Sequence, residues 1–236
     1  MSNESLSASV ENFIKAIYGL QQELEQEASL QDSKNTQELR VSTNAVSVAL
    51  EITAPSVTDM AKRLMENGLI DYRKYYGMRL TEKGTALALR LVRRHRLIEL
   101  YLVNELGYEL HEVHDEAEEL EHTISDRFVE AINTKLGNPQ FDPHGDPIPN
   151  EEGLMTKRDL HPLSQLPLAT PAQVSRFIAH DDQMLQHTLD RGFQLNSRVE
   201  VIARDPYEGP LTIQLDGTET IIGYTLAESI LVEVLS

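Results

Sequence analysis

The chain has 236 residues, 40% of them hydrophobic, no cysteine and a formal net charge of −17; this is enough chain for one large or two small cores. Without a thiol, disulfides and thiolate metal sites are excluded, and imidazole and carboxylate remain as metal donors. No apolar run approaches a membrane span and the polar start MSNESLSASVENF lacks a signal-peptide core, which reads as a soluble cytoplasmic protein.

From Ser9 to about Glu27, Val10, Phe13, Ile14, Ile17 and Leu20 recur at helical spacing, which predicts a first helix. The polar stretch Ala28–Arg40 reads as a long loop. Ser42 then caps a short run with Val46, Val48, Leu50 and Ile52. After a turn at Thr53-Ala54-Pro55, a helix is expected over Ser56–Asn67, closed by Gly68. Two short strands, Leu69–Arg73 and Met78–Thr81, flank a turn with Tyr75, Tyr76 and Gly77, and this helix, turn, helix, hairpin order is that of a winged helix-turn-helix. Residues 82–104 and 112–136 read as two further helices separated at Gly107, and GNPQFDPHGDPIPNEEG stops helix formation. Beyond Leu163, the runs Ala172–Ile178, Arg198–Ala203, Leu211–Leu215, Thr218–Gly223 and Ser229–Leu235, with one helix over Asp182–Arg191, predict a bent SH3-like β-barrel. The fold class is therefore mainly α with a small β domain. The expected divisions are a winged-helix domain over 1–84, a helical domain over 85–150, a linker over 151–166 and the SH3-like domain over 167–236.

The charge is unevenly spread. Residues 54–96 hold ten basic against four acidic side chains, a balance of +6 that leaves −23 for the remainder. Such segregation fits a basic contact surface for a polyanion on an acidic body, with chance clustering as the alternative. In a helix-turn-helix the second helix enters the major groove of duplex DNA by its N-terminal residues, here Thr53, Pro55, Ser56, Thr58 and Asp59. Hydroxyls bond bases or phosphates, and Pro55 offers apolar contact to a thymine methyl. Lys62, Arg63, Arg73, Lys74 and Arg79 are placed for phosphates. Asp59 is awkward beside a polyanion; it would accept from cytosine, cap the helix or repel wrong sequences. A winged helix used for protein contact is the competing reading.

The chemistry-bearing cluster lies in VRRHRLIELYLVNELGYELHEVHDEAEELEHT. On a helix, His114, Glu118, Glu121 and His122 fall within about 100° of arc, and His95 and Glu99 form an i, i+4 pair on the preceding helix. Two facing helices would then hold one or two hard or borderline cations. An exposed acidic face with incidental histidines is the bland alternative, but the apolar positions Val113, Ala117, Leu120, Ile124 and Phe128 adjoin the stripe, and like carboxylates at a helix boundary are costly without a cation. Glu119-Leu-Glu-His122 also matches the Glu-x-x-His element of ferritin-like di-metal carboxylate enzymes. The second such element these enzymes need is absent from the sequence, so a non-enzymatic role is expected.

The segments ENFIKAIYGL, TAPSVTDMAKRLMENGLI, LTEKGTALA, RHRLIELYL, VHDEAEELEH and GNPQFDPHGDPIP together resemble the diphtheria toxin repressor family of metal-dependent transcriptional regulators, its manganese-responsive branch more than its iron-responsive one. The likeness spans nearly the whole chain. It implies a repressor of metal-ion homeostasis activated by Mn²⁺ or Fe²⁺, a homodimer on a palindromic operator, and a C-terminal SH3-like (FeoA-like) domain. By resemblance, Glu118, Glu121, His122 and Asn12 form the activating metal site, and His95, Glu99 and His114 a second site. Asp142 and His144 resemble loop ligands of some manganese-responsive members, and one of His180, Asp181 and Asp182, with Asp181 preferred, would add a ligand from the C-terminal domain. Asn12 departs from the family pattern of Asp or Met, and Glu118 stands where iron-type members carry Cys, which favours a hard ion. The loop Ala28–Arg40 exceeds the family pattern. The implied dimer buries Val113, Ile124, Phe128 and Ile132.

Overall fold

A computed structural model describes residues 7–30, 39–178 and 182–235. The chain divides into two compact units, one running to Arg94 with Glu151–Gly153, the other comprising His95–Asn150 and the residues from Leu154 onward. In the first unit, α1 (Ala8–Leu30), α2 (Thr43–Ala49), α3 (Ala54–Glu66), β1 (Ile70–Arg73) and β2 (Gly77–Leu80) follow one another, and α4 (Glu82–Tyr101) begins. The winged helix-turn-helix is present as expected. Its core gathers Phe13, Ile14 and Ile17 of α1, Val46 of α2, Val57, Ala61 and Leu64 of α3, and Met78 of β2. Each of the larger side chains contributes at most about 1.5–3 kcal/mol by leaving water.

Local chemistry fixes the boundaries. Ser42 Oγ accepts from Ala45 N to cap α2, and Thr53 Oγ1 accepts from Ser56 N to cap α3. With Thr53 as the cap and Pro55 in the first turn, α3 starts at Ala54 and takes in the stretch expected to be a turn. Asn67 and Gly68 end it, Gly68 at φ 70°. α1 runs to Leu30, three residues past its expected end and into the stretch read as a loop, of which residues 31–38 lie outside the described residues. Thr81 Oγ1 accepts from Gly84 N at the start of α4. A Cβ on Gly84 would stand 2.0 Å from Leu69 O, so only glycine lets α4 approach the entry to β1.

In the second unit, α4 continues into a π-helical turn, Leu102–Leu106, stopped by Gly107 at φ 74°. The single helix expected over 112–136 is two: α5 (Val113–Glu121) and α6 (Asp126–Lys135). Ser125 Oγ accepts from Phe128 N; capping by a hydroxyl offers the backbone a bond that helix continuation does not. Leu97, Leu100, Val129, Ile132 and Ile148 form one small core and Ile98, Leu102, Val113 and Ala117 another, so the faces expected to act together belong to different helices. Then come β3 (His161–Pro162), inside the stretch expected to be a linker, β4 (Ala172–Phe177), α7 (Asp182–Asp190), β5 (Arg198–Arg204), β6 (Leu211–Leu215), β7 (Thr218–Ile222), α8 (Tyr224–Glu228) and β8 (Ile230–Val234). The antiparallel sheet has the order β3-β8-β4-β5-β6-β7, with register shifts at Val174/Arg176 and Val201/Ala203 that bend it in the SH3-like manner expected. β3 and α8 are too short for periodicity to reveal.

Candidate metal centre and DNA-reading surface

His95 and Glu99 sit one turn apart on α4, and both are buried. The His95 ring stands between two carboxylates: Nδ1 lies 2.8 Å from Glu121 Oε2 and Nε2 lies 2.9 Å from Glu99 Oε1. Glu121, the last residue of α5, is fully buried. Ionised carboxylates only accept, so both contacts are satisfied together when both ring nitrogens carry protons, when one of the acids carries a proton and donates it, or when a cation replaces a proton. His114 Nδ1 is 3.3 Å from Glu99 Oε1 and 3.2 Å from His95 Nε2, the two rings meeting edge to face. Glu118 Oε1 lies 3.9 Å from His95 Nδ1, and His122 Nε2 lies 3.6 Å from Glu121 Oε1.

Among the described residues, three groups therefore have ligand atoms close enough to share an ion: Glu118, Glu121 and His122; His95, His114 and Glu118; and Glu99, Asp142 and His144. Glu99 uses its two oxygens differently, Oε1 toward His95 and His114 and Oε2 toward His144 Nδ1 at 3.8 Å. The loop residues Asp142 and His144 thus meet Glu99, a junction that the spacing of the sequence does not reveal. The break after Glu121 leaves His122 as the C-cap of α5, yet the i, i+3, i+4 set Glu118, Glu121, His122 stays on one helical turn. Burial acts to raise the Glu99 carboxyl, but hydrogen bonds with His114 and His95 and the charges of His95 and His144 outweigh it and hold the group well below the usual carboxylate range. Asp142 behaves oppositely: burial and the nearby acids Asp146 and Glu99 push it up to about 8, against the pull of Arg96.

The Asp142–His144 loop is held by groups that sequence reasoning missed. Asp142 Oδ1 accepts from His144 N and Asp146 N, and Arg96 of α4 reaches Asp142, Asp146 and Pro147 O. From the other side, Arg176 of β4 pairs with Asp146 at 2.7 Å, Phe177 N donates to His144 O, and Arg158 donates to Gly145 O while lying 3.7 Å over the Phe141 ring. The only advance signal was the Pro and Gly density of the loop, since no pattern links distant arginines to it. Of the C-terminal candidates, His180 and Asp181 lie outside the described residues, and Asp182 opens α7. In the other unit, Asn12 of α1 has a buried Oδ1 without a hydrogen-bond partner.

On the winged helix, Thr53, Pro55, Ser56, Asp59, Lys62 and Arg63 are exposed, and Thr58 is half-buried with its hydroxyl donating to Ala54 O. Asp59 pairs with Lys62 at 3.4 Å, so its carboxylate also moderates the helix's own charge. Asp71, likewise, takes a hydrogen bond from Arg40 and faces Arg73 and Arg79; the Arg40 bond, opposed by slight burial, holds its carboxyl below the ordinary value.

Residues 5–78 match the family described as iron dependent repressor, N-terminal DNA binding domain; residues 81–150 match iron dependent repressor, metal binding and dimerisation domain; and residues 161–234 match the FeoA domain. The iron-dependent repressor IdeR of Mycobacterium tuberculosis is 31% identical over 197 residues, covering 78% of this chain and 85% of that protein. The chain belongs to the diphtheria toxin repressor family of metal-dependent transcriptional repressors. The diphtheria toxin repressor of Corynebacterium glutamicum is 29% identical over 195 residues, 78% of this chain and 84% of that one. A solved manganese-dependent transcriptional repressor in complex with manganese superposes with a TM-score of 0.80 at 36% identity, covering 96% of this chain and all of that one. Family members are not enzymes, and nothing favours the ferritin-like alternative: Glu119, which its Glu-x-x-His element requires, is exposed.

Proposed function

We propose that this repressor is activated by Mn²⁺ or Fe²⁺ and binds, as a homodimer, a palindromic operator of duplex DNA. The observation that carries the metal half is the His95 ring between buried Glu99 and Glu121. Buried carboxylates of this density need a cation, and the donor set of imidazole nitrogen and carboxylate oxygen without sulfur suits manganese and iron. Glu118, Glu121 and His122 would hold the activating ion, with Asn12 as a further donor that the family resemblance alone suggests. His95, Glu99 and His114, with Asp142 and His144 meeting Glu99, would serve a second ion, and Asp181 remains the preferred C-terminal donor. When bound, the cation supplies a divalent charge that replaces protons among these groups.

The chain's own residues do the rest. Ser125 caps α6 and so sets where α5 ends; Arg96, Arg158 and Arg176 hold the Asp142 loop in place. Thr53, Pro55, Ser56, Thr58 and Asp59 would face base edges, and Lys62, Arg63, Arg73, Lys74 and Arg79 phosphates. Half-sites in such dimers lie about 34–36 Å apart or a multiple of it, so small reorientations of the reading heads matter. A coupling of about 1–3 kcal/mol between ion and operator corresponds to roughly 5–150-fold in affinity, and it acts in both directions. The test is a fluorescence-anisotropy titration of promoter duplexes with Mn²⁺, Fe²⁺ or chelator. Tight binding only with the ion is expected; metal-independent binding would refute the proposed activation.

A further inference from the structure

We propose that the turn Glu151–Gly153 is a second tether between the Asp142–His144 loop and the winged helix, and that the influence of a bound ion on DNA binding passes through it. The inference rests on the ion-gated DNA reading proposed above. The chain passes from one compact unit to the other at α4, between Arg94 and His95, and again on either side of this turn. Glu151, Glu152 and Gly153 pack with the winged-helix unit, whereas Asn150 before them and Leu154 after them belong to the ion-binding unit. These residues open the stretch expected to be a linker.

The stem of the turn is fixed in the ion-binding unit. Asn150 N donates to Leu154 O at 2.8 Å and Leu154 N donates to Asn150 Oδ1 at 2.7 Å, so one residue closes the turn with both its backbone and its side chain. On the upstream arm, which also carries Asp142 and His144, Ile148 is buried beside Leu97 and Leu100, and Arg96 donates to Pro147 O. Gln140 joins the two arms: its carbonyl accepts from Ile148 N and its side chain accepts from Thr156 Oγ1.

The tip lies against α4. Gly153 has φ 79°, and a Cβ there would stand 2.9 Å from Leu89 Cδ1, so the position needs glycine for its left-handed backbone and for the close approach. Leu89 precedes the point where α4 leaves the winged-helix unit, and its neighbours Ala88 and Leu91 are buried in the core that also holds α3. A single helix crossing between two bodies leaves them free to bend about it. A second attachment at Leu89 removes that freedom, so that a shift of the loop is carried into the body that presents the reading helix. Coupling of this kind travels through packed, contiguous elements that both sites bias.

The experiment uses the full-length protein and a duplex that the wild-type chain recovers from a random-sequence library in the presence of Mn²⁺. Two variants release the turn without touching an ion donor or a DNA-facing residue. Gly153→Val is opposed by the φ of 79° and by Leu89, and an insertion of two glycines between Glu151 and Glu152 slackens the turn. Each should keep wild-type Mn²⁺ affinity in a DNA-free isothermal titration, yet lose roughly tenfold of the ion's stimulation of duplex binding, within the roughly 5–150-fold that such couplings span. Hydrogen exchange reads the same tether independently: Mn²⁺ should slow exchange over residues 85–94 of α4 in the wild type and not in the variants. If both variants keep full stimulation, the tether is wrong while ion-gated reading stands. If they lose Mn²⁺ affinity as far as they lose stimulation, the turn only props the ion site and the inference is overturned. A wild-type chain that Mn²⁺ does not stimulate would refute the gating itself and the tether with it.

Discussion

The two units place their charges in opposite ways. On the winged helix, ion pairs such as Asp59–Lys62 are exposed, with side-chain accessibilities of 81% and 56%; pairs of this kind are worth about 0–1 kcal/mol and are screened by salt. Around His95 the acids are buried, Glu121 completely and Glu99 nearly so, where an uncompensated charge is costly. The first arrangement leaves cations available to a polyanion at little cost in stability. The second makes the fold depend on what fills the site, by protons or by an ion.

The largest effect should come from the buried side. Glu121→Gln or His122→Ala is expected to lower Mn²⁺ affinity by about 100-fold or more and to abolish metal-stimulated operator binding while the far-ultraviolet circular dichroism is retained. Isothermal titration with the ion is the check, and unchanged affinity would remove the activating-site assignment. A pH series sharpens the same contrast. Asp142, raised from 3.8 to about 8, keeps a proton in the folded state that the unfolded chain loses above pH 4. Through this group the metal-free protein loses stability as pH climbs from about 4 to 8, and metal must displace the proton over that range. Ion affinity at the Asp142 cluster should accordingly strengthen by up to about tenfold per pH unit below 8, a trend that Asp142→Asn flattens in the same titration.

On the exposed side the effects are smaller and salt-dependent. Replacing Lys62 and Arg63 by Glu should weaken binding to all duplexes and reduce the slope of log K against log salt by roughly 2, at about 0.9 per phosphate contact. An unaltered slope would mean that neither side chain meets phosphate. Smallest of all, Ser125→Ala should cost about 1 kcal/mol by uncapping α6, visible in urea denaturation at fixed metal. Loss of that cap loosens the chain between His122 and α6 without touching a donor atom.

The winged helix was readable because its signals are local: Ser42 and Thr53 as caps, Gly68 as a stop, and apolar spacing in α1 and α3. The α5–α6 break was legible too, in Ser125 followed by Asp126, but the apolar positions Ile124, Phe128 and Ile132 continue a helical period across it and mask the cap. For the site, residue types and helical spacing pointed to the candidate donors of α4 and α5, since i, i+3 and i+4 neighbours must share a face, whereas Asn12, Asp142, His144 and Asp181 came from the family resemblance. Their partition did not follow, because Glu99 meets His144 and Asp142 only through the loop fold. The clamp of Arg96, Arg158 and Arg176 on that loop was invisible for the same reason. Contacts spanning 13 to 50 residues or more leave no periodicity.

The most direct measurement is operator affinity of the full-length protein before and after exhaustive metal stripping, followed by titration of Mn²⁺ back into the same sample. Affinity should fall on stripping and return with a stoichiometric ion, and the return should fail in Glu121→Gln. A stripped protein that holds its operator as tightly as the loaded one would contradict the central claim that a cation held by Glu118, Glu121 and His122 governs the grip on DNA.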